Sequence, residues 1–237
     1  MRDRGVLRFD GVGLRRGGHA LLDAVDLALP VRARTVILGP NGAGKSTLLQ
    51  LAHGLARPDV GRIDGIDGED RAVRWRFGFV FQRPVMLRRS ALGNVVHALA
   101  VAGVPRPERR ARAERALAEV GLLALAGRSA RLLSGGEQQR LAIARAEACA
   151  PDCLLLDEPT ASLDPHAAIA VETLLRTLSE RGRGLVWSTH DLGQARRLAE
   201  HVVLLVAGRV LETGPAEDFF AGPGTEAARR FLRGDPL

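Results

Sequence analysis

Lysine is all but missing from this 237-residue chain, tyrosine is absent, and cysteine occurs twice. Of 34 Lys and Arg residues a single one, Lys45, is lysine, so the positive charge is otherwise arginine. Each scarcity excludes something. Two cysteines, Cys149 and Cys153, form neither a disulfide framework nor half of a zinc site. They read as small buried residues in a reducing compartment. An aromatic content of 4% without tyrosine argues against a base-stacking RNA or single-strand surface. No stretch reaches the roughly 18 apolar residues of a membrane span. The opening MRDRGVLRFD mixes both charge signs and lacks an apolar core, so no signal peptide is expected and the chain should stay in the cytoplasm.

What is present describes a folded domain. The chain is 46% hydrophobic and 26% charged, enough to bury a sizeable core. The net charge of +7 could signal a polyanion. The arginines are spread, however, with pairs at Arg15-Arg16, Arg88-Arg89, Arg109-Arg110 and Arg229-Arg230 and no basic tail. They read as solvated faces, and no nucleic-acid partner is expected.

Five short apolar runs, at 35–38, 77–81, 153–156, 185–188 and 202–206, have the look of buried strands. Helical stretches at 45–55, 140–148, 165–180 and 192–200 alternate with them. That order predicts an α/β fold with a mostly parallel sheet covered on both faces. The first 30 residues, VLRFDGVGL and LLDAVDLAL around RRGGHA, predict an antiparallel β subdomain. Residues 84–134 are Ala- and Arg-rich with helical spacing, broken by Pro105, Pro107 and Gly121, and predict an inserted helical subdomain. One domain over 1–237 results, with a core at 1–83 and 135–237.

The lone lysine sits in GPNGAGKST: Gly39, Pro40, Asn41, Gly42, Ala43, Gly44, Lys45, Ser46 and Thr47. A strand-like TVIL precedes it and a helical STLLQLAHGL follows, the context of a phosphate-binding P-loop. Its glycines let backbone N–H groups curl around phosphate oxygens at a helix N-terminus, where the helix dipole favours negative charge. Lys45 would touch the β- and γ-phosphates. A compact ammonium bends back over such a loop, whereas a planar guanidinium needs room and bidentate geometry. Ser46 would give its hydroxyl to Mg2+, with Thr47 beside it. A P-loop alone leaves kinases, GTPases, helicases and transport ATPases open.

Further motifs narrow the field. LSGGEQQR spans 133–140, the strand CLLL ends in Asp157 and Glu158, PTASLDP follows, and LVWS delivers Thr189-His190-Asp191. In these residues the sequence resembles the ATP-binding cassette family over about residues 5 to 215. It carries a Walker A motif at 39–47, a glutamine loop at Gln82, the signature LSGGEQQR, Walker B LLLDE, a D-loop SLD and a switch histidine.

The resemblance implies an ATPase using ATP and Mg2+. Asp157 would hold the Mg2+ shell with Ser46 and Gln82, and Glu158 would polarise the attacking water. Gln82 would also touch that water, and His190 the γ-phosphate. Ser134, Gly135 and Gly136 would meet the nucleotide held by a second copy in a head-to-tail dimer, with Asp164 of each D-loop reaching across. The family's usual adenine-stacking aromatic is missing. Its place falls in LRRGGH at Arg16, with His19 as a neighbour able to substitute. The glycine usual before the Walker A strand is replaced at Arg32 or Ala33.

One copy of each motif in 237 residues implies a single cassette serving a separate integral-membrane permease at the cytoplasmic face of the membrane, and indirectly a solute-binding protein. The segment from Gln82 to Val95 is similar to that of oxyanion importers, tungstate foremost, with phosphate and polar amino-acid importers close by. Efflux and lipoprotein-release cassettes share the signature. A nucleic-acid-associated cassette would carry two copies or a long coiled coil, and the fifty residues between Gln82 and Ser134 are too few for one. A P-loop kinase would leave LSGGEQQR unexplained.

Overall fold

A computed structural model describes residues 5–65 and 76–235. Parts of the 1–83 and 135–237 core spans, at 1–4, 66–75 and 236–237, lie outside the described residues.

The chain opens on a long antiparallel pair, β1 (Val6–Arg16) and β2 (His19–Pro30), turning at Gly17-Gly18. Next come β3 (Arg34–Leu38), α1 (Lys45–His53), β4 (Val60–Asp64) and β5 (Phe77–Val80). Two helices, α2 (Ala91–Val101) and α3 (Arg106–Glu119), occupy the stretch predicted as a helical insertion. The remainder runs α4 (Gly135–Glu147), β6 (Cys153–Leu156), α5 (Pro165–Glu180), β7 (Gly184–Thr189), α6 (Leu192–Leu198), β8 (His201–Val206), β9 (Arg209–Pro215), α7 (Ala216–Ala221) and α8 (Glu226–Arg233).

Two sheets result. The front sheet has order β2-β1-β4, with β1 antiparallel to both neighbours. The main sheet has order β5-β6-β7-β3-β8-β9. Every pairing in it is parallel except the last, β8 with β9. The predicted α/β class with a mostly parallel sheet, an antiparallel β subdomain and a helical insertion is therefore the fold observed.

Side-chain alternation explains why the central strands read as unbroken apolar runs. Val36, Leu38, Leu154, Leu156, Leu185, Trp187, Val202 and Leu204 face one core, shared with α2 to α8. Ile37, Cys153, Leu155, Val186, Val203 and Leu205 face the other, shared with α1 and the front sheet through Phe9, Val12, Leu22 and Leu29. Both faces are dry, so both sets must be apolar. Burial also pushes the Cys153 thiol up, far above its ordinary value, keeping it a protonated core residue.

Two strands escaped the sequence reading. In β4 four of five residues are exposed, and in β9 exposed and half-buried residues alternate, so neither carries an apolar run. Both lie at sheet edges, where one neighbour is solvent.

Candidate functional site

Parallel strands bring their carboxyl ends to one edge of the sheet, and four of the chemistry-bearing loops begin there. β3 ends at Leu38 and runs into the glycine loop. β5 leads to Gln82, β6 to Asp157 and Glu158, and β7 to His190. The order β5-β6-β7-β3 sets these four ends side by side, as ligand sites on open α/β sheets require.

The glycine loop is shaped by its neighbours. Gly39 and Gly44 have φ of 152° and 102°. A Cβ on Gly39 would lie 2.0 Å from the Leu205 carbonyl oxygen, and one on Gly44 would lie 2.6 Å from that of Leu21. Only glycine serves at either position. Gly44 is also the N-cap of α1 and has no side chain to cap it, so the first-turn N–H groups are left to an outside acceptor.

Lys45 is 6% exposed and bends back over the loop, donating to the carbonyls of Gly39 (2.8 Å) and Pro40 (3.0 Å). Burial holds its ammonium below the usual lysine range, while Glu158 at 3.6 Å and Asp157 act the other way. Ser46 Oγ donates to Asp157 Oδ1 at 2.9 Å, and Asp157 is 7% exposed.

Glu158 is the point where the loops converge. Its side chain lies 3.6 Å from Lys45 Nζ and 3.4 Å from His190 Nδ1, and it accepts a hydrogen bond from Gln82 Nε2 at 3.4 Å. Its φ of 42° is unusual for a residue with a Cβ. The Ser188 hydroxyl helps hold it, accepting from the Glu158 N–H (2.9 Å) and donating to Asp157 Oδ1 (2.7 Å). Backbone strain of this kind is kept where surrounding bonds over-determine it, and it clusters at working sites.

These groups enclose a cleft of about 540 Å³. Asn41, Gly42, Ala43, Gly44, Lys45, Ser46, Thr47, Gln82, Glu158 and His190 line it, joined by Leu21 and Ala161. Gly39 and Pro40 act from behind, through the carbonyls that hold Lys45.

The remaining predicted residues lie elsewhere. Arg16 is exposed at the end of β1, and His19 is exposed opposite it. Ser134 caps α4: its hydroxyl accepts from the Glu137 N–H, and the Glu137 carboxylate accepts from the Ser134 N–H. That second bond holds the Glu137 carboxyl below its ordinary range. Gly135 and Gly136 begin the helix, and a Cβ on Gly136 would come within 2.7 Å of the Ala167 Cβ. Asp164 is exposed and caps α5 through the Ala167 N–H (2.9 Å).

Sequence reasoning missed Ser188. The available signal was a hydroxyl embedded in the apolar LVWST strand, two residues before His190.

The donor set fits Mg2+. A serine hydroxyl and a carboxylate, both hard oxygen groups, meet beside a cradle open to phosphate. Among the described residues no group of three or more His, Cys, Asp or Glu could hold a metal. An ion here would complete its shell with phosphate oxygens and water, as Mg2+ does.

The fold and the cleft define a P-loop nucleotide-binding ATPase. Its family is shown by comparison: a model of the ABC transporter family matches residues 22–161, and the chain belongs to that family. It is 40% identical to a phosphate import ATP-binding protein of Natronomonas pharaonis, over 99% of this chain and 88% of that one. It is 41% identical to a nickel import ATP-binding protein of Rhodobacter capsulatus, over 97% and 96% of the two chains. Among solved structures it resembles CbiO1 of Clostridium perfringens, part of an ABC transporter complex. There the TM-score is 0.81 at 28% identity, covering 98% of this chain and 96% of that one. It also resembles a dimeric ATP-binding cassette in a post-hydrolysis state bound to ADP and Pi, with TM-score 0.75 at 32% identity and coverage of 89% and 98%.

Proposed function

We propose that this chain is the ATP-hydrolysing subunit of an importer, working as a head-to-tail dimer beneath a separate membrane permease. The observation that carries the reading is the convergence of Lys45, Gln82 and His190 on the Glu158 carboxylate within 3.6 Å. Four loops from four parallel strands meet at one acid beside an open phosphate cradle.

In this reading the α1 N-terminus and Lys45 hold the β- and γ-phosphates. Glu158 orients the attacking water and accepts its proton, Gln82 also contacts that water, and His190 steadies the γ-phosphate. Ser46, Asp157 and Gln82 would hold Mg2+, which would supply charge neutralisation on the phosphates. Ser134, Gly135 and Gly136 reach the nucleotide of the second copy, with Asp164 beside them, and Arg16 lies against the adenine.

The domain division at 84 and 134 belongs to the same reading. A groove of about 720 Å³ opens between core and helical insertion, lined among others by His53, Phe79, Leu87, His97, Ala98 and Arg145. Phe81 (47% exposed) and Val85 (75%) stand in solvent on either side of Gln82. Exposed apolar residues bracketing a catalytic loop support docking of the permease there. No helix among the described residues is long and apolar enough to cross a membrane, and the chain would sit at the cytoplasmic face through its permease.

The solute is read as an oxyanion, tungstate first. Similarity to the phosphate import protein supports the oxyanion class. Equal similarity to the nickel import protein makes a divalent cation the second reading. Uptake of tungstate, phosphate and nickel into vesicles carrying this chain and its co-purified permease tests both. Saturable, Glu158-dependent tungstate uptake is expected, and nickel uptake alone would overturn the oxyanion assignment.

A further inference from the structure

His190 and Glu158 sit on separate loops, and their separation of about 3.4 Å needs something to set it. Ser188 fastens the Glu158 N–H to the end of β7, and the loops beyond that bond are open on the cleft side. A further restraint lies behind the cleft, in a buried polar cluster centred on Gln194, a residue outside the sequence motifs.

Gln194 is 1% exposed, in the first turn of α6 and four residues after His190. Its backbone N–H is capped by Asp191 Oδ1 at 3.0 Å. Its side-chain Nε2 donates to Thr160 Oγ1 at 2.7 Å and to Glu172 Oε1 at 3.2 Å. Thr160 follows Glu158 by two residues and belongs to the turn closed by the Ala161 N–H to Glu158 carbonyl bond (3.2 Å). Glu172 lies on α5, the helix that Asp164 caps, and takes a two-pronged bond from Arg197 of α6 (2.8 and 3.2 Å). One amide therefore ties together the loop carrying His190, the loop carrying Glu158 and the helix behind the D-loop.

The orientation of the amide is fixed by chemistry. Glu172 accepts only, so the NH2 group must face it, and Oε1 is then left buried without a partner. An apolar residue at 194 would avoid that unpartnered acceptor. What only the amide provides is the pair of bonds to Thr160 and Glu172, of which the one to Thr160 reaches the Glu158 loop. A second cleft, of about 810 Å³, lies on this side of the molecule, and Thr160, Ala161, Glu172, His190 and Arg197 are on its wall. Ala161 and His190 line both clefts, so the wall between them is thin and depends on this fastening.

We infer that Gln194 is a positioning residue for hydrolysis, fixing His190 against Glu158 through Thr160, with Glu172 and Arg197 holding the amide in place. Gln194 does not line the phosphate cleft. Its removal leaves the phosphate cradle intact and lets the two catalytic loops drift. Displacements of about 1 Å in such a pair cost up to about 100-fold in rate.

The inference rests on the roles proposed for Glu158 and His190, and the test separates the two. The full-length chain is assayed for ATP affinity and steady-state hydrolysis as wild type, Gln194→Ala, Thr160→Val, the double variant and Thr160→Ser. Expected are a fall in kcat of about 10-fold or more for Gln194→Ala and for Thr160→Val, with KM for ATP within about 2-fold. The double variant should be no slower than the worse single one, because both remove the same bond. Thr160→Ser keeps the hydroxyl and should retain kcat within about 2-fold.

Full activity in Gln194→Ala overturns the inference, as do single losses that multiply in the double variant. If Gln194→Ala does not fold, Thr160→Val and Thr160→Ser decide alone: equal rates for the two overturn it. A Glu158→Gln chain that hydrolyses like wild type would instead sink the catalytic reading itself.

Discussion

Two helix N-termini in this molecule were expected from the sequence to meet phosphate, and they are finished differently. At α1 the cap is Gly44, with no side chain and a φ of 102°, and the lysine that follows is folded back over the loop. At α4 the cap is Ser134, closed with Glu137 into a reciprocal pair of hydrogen bonds. The first end leaves its donors open and surrounds them with Lys45, Asp157, Glu158, Gln82 and His190. The second has satisfied part of its own need and stands exposed. The contrast teaches that the α1 end leaves its donors open in a cleft lined by charged groups of the same chain, while the α4 end is capped by its own residues and stands exposed. A second copy is the occupant proposed here.

The largest break in that comparison should come from the α1 side. Glu158→Gln keeps the shape of the convergence point and removes its charge. We expect kcat for ATP hydrolysis to fall by about 10² to 10⁴ while ATP still binds, and an ATP-dependent dimer to accumulate. Phosphate release and light scattering read both quantities. A monomer at saturating ATP would contradict the completion of the α4 end by a second copy.

Lys45→Arg tests whether shape or charge matters at the cradle. The Nζ pocket is nearly closed and its two carbonyl acceptors are 2.8 and 3.0 Å away, so a planar guanidinium cannot fold into it. ATP affinity should weaken at least about 10-fold, the equivalent of one charged hydrogen bond of about 1.5–3 kcal/mol. Unchanged affinity by calorimetry would mean that positive charge alone suffices.

The two ends were not equally legible in the sequence. Lys45, Asp157, Glu158 and His190 announce themselves because each ends or follows a strand buried on both faces, and such strands are unbroken apolar words: VIL, CLLL, LVW. The parallel order then delivers them to one edge without further information. The edge strands β4 and β9 lack such runs because solvent covers one side, and they were not seen. Ser188, Gln194 and Thr160 were invisible for another reason. A buried hydroxyl or amide becomes meaningful only when its partner is known, and Gln194 and Thr160 are 34 residues apart in the chain. At Ser134 the sequence showed the helix start, and the Glu137 half of its capping box was also there to read. Whether its remaining donors meet a phosphate depends on a surface that a single chain does not contain.

Ser134→Asp separates the two uses of the α4 end. Aspartate caps a helix about as well as serine, so thermal stability should change little. A carboxylate there repels a phosphate brought across the interface, and hydrolysis should fall about 5- to 10-fold, on the scale of one hydrogen bond lost with charge added. Ser134→Ala provides the opposite signature, losing about 1 kcal/mol of stability, or about 2–4 °C in Tm. Full hydrolysis in the aspartate variant would leave the motif a helix cap and nothing more.

Arg16→Ala should have the smallest effect. Arg16 is exposed and does not line the phosphate cleft. A stacked guanidinium at such a site contributes about 0.5–1 kcal/mol, which predicts ATP affinity lower by about 2- to 5-fold. Inorganic triphosphate carries no base, and its affinity should not change. A nucleotide-specific loss assigns the end of the β1–β2 hairpin to the adenine and extends the site beyond the phosphates. Equal losses for both ligands would make Arg16 a distant point charge, and the base would then have to find its contact in the second copy, so that the α1 end too would be finished only by dimerisation.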